Sequence, residues 1–235
     1  MRKIKSKLKL YEIDMKYVRN LAKVDDNVMS VSPQINKENR PFVGVLVLVN
    51  NQKYCVPLSS PKDKYKNKKN AIDFMRIVDD NDKDVNGAGK IIGALNFNNM
   101  LPVDESVLKP INLSILSTDN SKAIHYKKLI TKQLNWCQAN ENKILSHANR
   151  TYDAVTKYPD KSRNLTRRCC DFKKLEAVLE KYISKGERAA EKSSVRQSPY
   201  SRKKMNEMSQ KVAQEKSNRD EHSKDISHKK NDQSL

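Results

Sequence analysis

The chain is short of the residues that announce the common enzyme classes. It has five glycines in 235 residues, and neither a Walker loop nor a dinucleotide fingerprint is present. No G-x-S-x-G elbow occurs, so an α/β-hydrolase-type serine nucleophile is not expected. Histidine is scarce: of four, two (His222 and His228) lie near the C-terminal end. Cysteine is equally scarce, at positions 55, 137, 169 and 170, with no C-x-x-C pair. A zinc site is therefore not expected. The vicinal Cys169-Cys170 pair suits a disulfide poorly, Cys55 and Cys137 read as small core residues, and a reducing cytoplasm fits. No apolar run approaches the roughly 20 residues of a membrane-spanning helix. The basic start (Arg2, Lys3, Lys5, Lys7) is not followed by the apolar stretch of a signal peptide. No Asp/Glu/His cluster suggests a bound metal, no internal repeat is visible, and no cofactor is expected.

Positive charge is what the chain has in abundance. The net charge is +19 and the pI about 9.7. Residues 186–235 hold 12 of the 47 Lys+Arg and 8 of the 28 Asp+Glu, a net of +4, which leaves 35 against 20, a net of +15, in the first 185. Large apolar side chains are concentrated in that same first part. We therefore expect one domain over 1–185, with enough apolar residues for a core, and a basic polar tail over 186–235 that cannot offset the entropy of ordering. A basic folded surface predicts a polyanionic partner.

The pattern divides into strands and then helices. Leu8 to Ile13 predicts a short strand, and Met15 to Leu21 a helical turn with Tyr17, Val18 and Leu21 on one face. Phe42–Val49 and Lys53–Leu58 predict a hairpin across Asn50-Asn51. Strands are also expected at Ala71–Val78, Ile91–Phe97, Met100–Val103 and Ile111–Leu116, with an acidic loop from Asp79 to Lys90. From Asp119 the period becomes helical, with caps at Asp119–Ser121 and at Asp171. A further helix over Glu141–Lys157 is stopped by Pro159. The expected class is α+β: a mostly antiparallel sheet or partly closed barrel with helices after it.

The most telling stretch is Tyr54-Cys55-Val56-Pro57-Leu58-Ser59-Ser60-Pro61-Lys62. A buried strand delivers two hydroxyls and an ammonium to its end, between two prolines that fix φ. Such a corner suits an anion whose charge grows during reaction; the plain alternative is a polar turn. Metal-free RNA cleavage needs alignment of the 2′-hydroxyl, in-line approach, charge stabilisation at phosphorus and a proton for the 5′-oxygen. Lys62 and Arg40 are candidates for the charge, and Ser59 and Ser60 for phosphate binding or proton relay. Tyr17 and Tyr54 are candidates for hydrogen bonds to, or stacking on, bases. The basic loop adds Lys64, Lys66, Lys68 and Lys69 as candidate RNA contacts. His125 reads as a surface residue on a helix. Ser59 and Lys62 have S-x-x-K spacing, but Pro61 between them argues against the helix that acyl transfer chemistry would want.

Several segments, in consistent order over residues 8–184, resemble the ToxN/AbiQ family of type III toxin–antitoxin endoribonucleases. They are Lys9-Leu10-Tyr11, Lys16-Tyr17, Arg40-Pro41-Phe42-Val43-Gly44-Val45, Pro57-Leu58-Ser59-Ser60-Pro61-Lys62, Asp73-Phe74, Asn96-Phe97-Asn98-Asn99-Met100-Leu101-Pro102-Val103, and Tyr126-Lys127-Lys128 with Lys132-Gln133-Leu134. The resemblance implies a compact, highly twisted antiparallel sheet with surrounding helices, related to MazF/Kid-like toxins. It implies metal-independent RNA cleavage to 2′,3′-cyclic phosphate and 5′-hydroxyl ends. It further implies inhibition by a repeated pseudoknot RNA antitoxin that the toxin processes, a cyclic toxin–RNA assembly and abortive phage infection. By residue, it implies that Ser60 is the critical serine, Ser59 the hydroxyl position where threonine is frequent, and Lys62 the active-site lysine. Tyr17 matches a tyrosine near the site. Arg40 falls at a basic position often held by lysine; arginine keeps the charge but cannot donate a proton at ordinary pH. Another family tyrosine has no clear match in residues 30–39. The rival reading is a non-catalytic RNA-binding regulator using the same basic surface.

Overall fold

The computed structural model describes residues 8–29, 42–83 and 87–197, with side chains described as far as 187. The chain runs β1 (Leu10–Ile13), α1 (Met15–Ala22), β2 (Phe42–Val49), β3 (Gln52–Ser59), β4 (Phe74–Lys83), β5 (Gly89–Asn96), β6 (Leu101–Pro102) and β7 (Leu108–Pro110). Helices α2 (Ser121–Ala139), α3 (Glu141–Thr156), α4 (Arg163–Thr166) and α5 (Phe172–Gln197) follow. The class is α+β, as expected. Contacts group into residues 1–183 and 184–235; of the second group, helical backbone is described over 184–197, and residues 198–235 of the expected tail lie outside the described residues.

All seven strands join one antiparallel sheet in the order β4-β5-β3-β2-β1-β7, with β6 on β3. The sheet is open, which corrects the partly closed barrel. β7 is three residues long and ends at Pro110, and among the described residues no strand follows it to close against β4. The β2–β3 turn is Asn50-Asn51, both with positive φ (46° and 63°), as a tight hairpin needs. Pro57 sits between the part of β3 that pairs β6 and the part that pairs β5, where a missing donor forfeits no ladder bond on that side. Its partner Gly44 allows close approach: a Cβ there would lie 2.6 Å from Cys55 Sγ.

Three expected elements differ. β4 begins at Phe74, because Ala71 and Phe74 close a tight turn on each other's backbone. The acidic stretch after Val78 extends the β4–β5 hairpin instead of forming a loop, with Asp79 and Asp82 paired to Lys132 and Lys90. Residues Ile111–Leu116 are irregular rather than a strand. There Asn112 Oδ1 accepts from Ser114 N–H and Asp119 Oδ2 from Leu116 N–H, so side chains take backbone donors that a ladder would use.

The expected caps are present: Asn120 Oδ1 accepts from Ala123 N–H, and Asp171 Oδ1 from Lys174 N–H. α5 continues to Gln197 rather than stopping near Lys185. Cys55, Cys137, Cys169 and Cys170 are all free and buried; burial pushes the Cys137 and Cys169 thiols up to about 12, so they are neutral core groups. No described helix is long and apolar enough to cross a membrane.

One partly buried ion pair locks the β4 entry to the helices. Arg168 donates from Nε to Asp73 Oδ2 (2.7 Å) and from Nη2 to Asp73 Oδ1 (3.0 Å). Burial alone would push the Asp73 carboxyl up; the guanidinium fork outweighs it and holds the group below its usual range. Its stabilising effect is thus present above the unfolded pKa near 3.9 and lost as pH falls through the lower folded value. Arg168→Ala leaves the carboxylate buried alone, so its folded pKa moves up instead. We expect that variant to lose about 2–3 kcal/mol at pH 7, below the full range for a buried pair because the Arg168 side chain is 50% exposed. The deficit should shrink toward pH 4 in denaturant titrations; a pH-independent deficit would refute the assignment.

Candidate active site

The end of β3 and the loop that follows it make a polar, cationic corner over one face of the sheet. Ser59 is the last residue of β3 and is half-buried; Ser60, Pro61 and Lys62 are exposed. Lys62 is extended (φ −140°, ψ 143°) and its carbonyl accepts from Tyr65 N–H, opening a 3-10 turn over Asp63–Tyr65. That turn tucks the Tyr65 ring, 3% exposed, against Phe74 on β4 at 5.3 Å between centroids. The Tyr65–Phe74–Ala94 group is a small apolar cluster separate from the main core.

Cations gather around these rings. Lys62 and Lys64 place their ammonium groups 6.0 and 5.9 Å from the Tyr65 centroid, and Lys68 sits 3.8 Å over Phe74. Lys66 pairs with Asp63 (2.9 Å), and Lys69 is exposed in the same loop. Among the described residues, no carboxylate forms an ion pair with Lys62, Lys64, Lys68 or Lys69. Lys62, Lys64 and Lys68 thus gather around the Tyr65 and Phe74 rings, with Lys66 and Lys69 exposed in the same loop after Ser59 and Ser60. Arg40 lies outside the described residues. His125 is exposed on α2, as expected.

Two candidates are corrected. Tyr17 is 0% exposed on the inward face of α1; its hydroxyl donates to the Pro102 carbonyl (2.8 Å) and its ring packs edge-on against Tyr182. Tyr54 is also 0% exposed; its hydroxyl donates to Glu176 Oε1 (2.7 Å) and its ring meets Tyr152 and Phe172. Both are core residues holding strands and helices together. Neither ring is open to a base.

The structure adds partners that the sequence reading had not assigned. Asn96, at the end of β5, donates from Nδ2 to Ser59 Oγ (2.6 Å). Because that oxygen accepts from Asn96, its own hydrogen remains to be donated elsewhere. Gln133 on α2, 1% exposed, donates from Nε2 to the Ser59 carbonyl (3.3 Å) and the Ile92 carbonyl (2.7 Å). It bridges the place where β3 parts from β5. Gly93 leaves room for it, since a Cβ there would overlap the Gln133 amide and lie 2.6 Å from the Ser59 carbonyl. Gln133→Ala should therefore destabilise by about 1–3 kcal/mol, the cost of orphaned buried carbonyls. It should also slow any reaction at Ser59, and a melt unchanged from the parent chain would contradict the bridge. Asn96 and Gln133 both lie in segments that resemble the family.

The model of the ToxN toxin family of type III toxin–antitoxin systems matches residues 9–180. The chain is 31% identical over 200 residues to endoribonuclease ToxN of Bacillus thuringiensis subsp. kurstaki, covering 83% of this chain and 93% of that protein. It is 27% identical over 178 residues to endoribonuclease AbiQ of Lactococcus lactis subsp. lactis, covering 76% and 91%. A solved type III toxin whose inhibition by a non-coding RNA pseudoknot has been described superposes with a TM-score of 0.60 at 29% identity, over 76% of this chain and 99% of that one. The structure of AbiQ, a lactococcal anti-phage endoribonuclease, shares the fold at a TM-score of 0.62 and 23% identity, with the same coverage.

Proposed function

The chain belongs to the ToxN family of type III toxin–antitoxin toxins, and from that premise we propose that it is a metal-independent endoribonuclease acting on single-stranded RNA. The observation that carries the reading is half-buried Ser59 with exposed Ser60 and Lys62 at the end of β3, in a loop where Lys62, Lys64, Lys68 and Lys69 form no ion pair with a described carboxylate. In the proposed reaction the substrate's 2′-oxygen bonds to phosphorus as the bond from phosphorus to the 5′-oxygen breaks. A proton leaves the 2′-hydroxyl, another reaches the 5′-oxygen, and the products carry a 2′,3′-cyclic phosphate and a 5′-hydroxyl. Charge grows on the non-bridging oxygens at the midpoint. Lys62 meets that charge. Ser59, oriented through Asn96, and Ser60 donate to the same oxygens. Lys64, Lys68 and Lys69 hold neighbouring phosphates, a sequence-independent attraction that weakens with salt. Arg40 is proposed as a further cation at the same phosphate.

The partner proposed for the resting state is an RNA antitoxin of repeated pseudoknots, cut from its precursor by the toxin and closed with it into a cyclic assembly. Release of the toxin in a phage-infected cell would then stop growth. The relatives' names as endoribonucleases, and the pseudoknot inhibition described for one of them, support this.

The test is incubation of purified chain with RNA in excess EDTA, followed by end-group analysis. Cyclic-phosphate and 5′-hydroxyl ends are the expected result. Intact RNA bound in a salt-sensitive way would overturn the enzyme in favour of the regulator, and cleavage abolished by EDTA would overturn metal independence.

A further inference from the structure

Ser59 shares its corner with a side chain whose polar groups are half used. Asn96 ends β5 two residues beyond Ala94, and Ala94 lies opposite Ser59 on β3. Residues directly opposite share a face, as do residues two apart on one strand. Asn96 and Ser59 therefore stand diagonally on the same side of the sheet, and Asn96 Nδ2 donates to Ser59 Oγ at 2.6 Å. A carboxamide carries an acceptor beside that donor. Asn96 Oδ1 accepts from no described residue, yet it is not one of the buried atoms left without a partner. In a half-buried residue that combination leaves the oxygen open at the surface, next to the serine hydroxyl.

The carboxamide has a firm base. Asn96 lies opposite Phe74 on β4, and the 3-10 turn Phe97–Asn99 follows it. That turn is tied to the entry of β4, to the link between α4 and α5 and to the loop after α1. Phe97 N–H donates to the Asp73 carbonyl (2.9 Å), Cys170 N–H to the Asn98 carbonyl (2.9 Å), and Asn99 Nδ2 to the Asn27 carbonyl (2.7 Å). Lys68 holds its ammonium over the Phe74 ring. A hydroxyl and an open acceptor thus stand side by side, with a cation over the neighbouring residue.

Strand cleavage by a neighbouring hydroxyl needs the 2′-oxygen about 3–3.5 Å from phosphorus. The two ends of the Asn96 amide match the two halves of that requirement. Ser59, accepting from Nδ2, keeps its hydrogen for a non-bridging phosphate oxygen. Oδ1, on the same planar amide, is the acceptor that holds a 2′-hydroxyl beside that phosphate. A carboxamide is too weak a base to take the proton, so it aligns the nucleophile and leaves deprotonation to another group.

We propose that Asn96 is a catalytic residue whose Oδ1 accepts from the 2′-hydroxyl on the 5′ side of the cut, aligning the nucleophile and distinguishing RNA from DNA. The assignment rests on the endoribonuclease reading and extends it, because turning Ser59 needs only Nδ2, whereas this contact touches the substrate.

The experiment measures binding in the Lys62→Ala background, where cleavage should be slow, with two RNAs that differ only in a 2′-hydroxyl or a 2′-deoxy nucleotide at the cut. The deoxy substitution should weaken binding about three- to tenfold, the value of one hydrogen bond. Adding Asn96→Ala should erase that difference, whereas adding Ser59→Ala should keep it. With Lys62 intact, Asn96→Ala should melt as a folded chain and cleave about 10²-fold more slowly at saturating RNA. If Asn96→Ala does not fold, Asn96→Val, which suits a strand, is read the same way. A deoxy penalty that survives the loss of Asn96 overturns the proposal, since Asn96 would then act only by turning Ser59. Equal affinity of the Lys62→Ala chain for the two RNAs overturns it without any Asn96 variant. A wild-type chain that cleaves no RNA overturns the endoribonuclease reading itself, and that control tells the two failures apart.

Discussion

Ser60→Ala and Lys62→Ala should each abolish toxicity while leaving the protein folded. Both side chains are exposed at the end of β3, and neither forms a hydrogen bond or ion pair with another described residue, so stability should change by no more than about 0.5 kcal/mol. The chemistry should not be so tolerant. Lys62 stands one proline away from the serine pair, and its removal takes away a full charge from the point where charge develops, an effect of about 10²–10³ in rate. The measurement is single-turnover cleavage alongside a thermal melt. Growth of cells expressing each variant without antitoxin should show the same ranking. A folded Lys62→Ala chain that cuts RNA at the wild-type rate would remove Lys62 from the mechanism. Lys64→Ala or Lys69→Ala offers the contrast. Those lysines belong to the sequence-independent field, so each should weaken binding modestly and lessen its salt dependence, with the rate at saturation nearly unchanged.

Local signals in the sequence carried most of this corner, and distance along the chain explains the rest. The β2–β3 hairpin was legible because two asparagines with positive φ sit between two apolar runs, all within 18 residues of one another. The hydroxyl pair, the lysine and the basic loop follow directly from it. Tyr17 and Tyr54 were misread because what buries them is remote. The acceptors of their hydroxyls lie 85 and 122 residues away, and no local pattern separates a tyrosine under a distant helix from one under a base. The false strand at Ile111–Leu116 arose from apolar alternation that Asn112 and Asp119 override by capturing backbone donors. Open versus closed sheet depended on the brevity of β7, which a window of apolar residues does not report.

The corrected role of Tyr54 leads to the largest stability effect expected in the molecule. Its ring is fully buried between Tyr152 and Phe172, and its hydroxyl shares Glu176 Oε1 with the Tyr152 hydroxyl (2.9 Å), while Lys173 donates to Oε2 (2.9 Å). Burial alone would push the Glu176 carboxyl up, yet these donors together hold it below its usual range. Tyr54 therefore joins β3 to α3 and α5 through one charged acceptor. Tyr54→Ala removes the ring and one of the three donors and should cost about 3–5 kcal/mol, as large-to-small core changes do, a large part of the 5–15 kcal/mol that holds a typical domain together. Tyr54→Phe keeps the packing and loses only the donor, for about 1–3 kcal/mol, the range for hydrogen bonds to charged groups. Denaturant midpoints at constant m-value give both numbers. The cleavage rate per folded molecule of the phenylalanine variant should match wild type. A base-stacking tyrosine would give the reverse pattern: Tyr54→Ala as stable as wild type, with RNA affinity weakened by the roughly 1–3 kcal/mol of a lost stack. That outcome would return Tyr54 to the RNA surface and reopen the placement of β3 beneath α5.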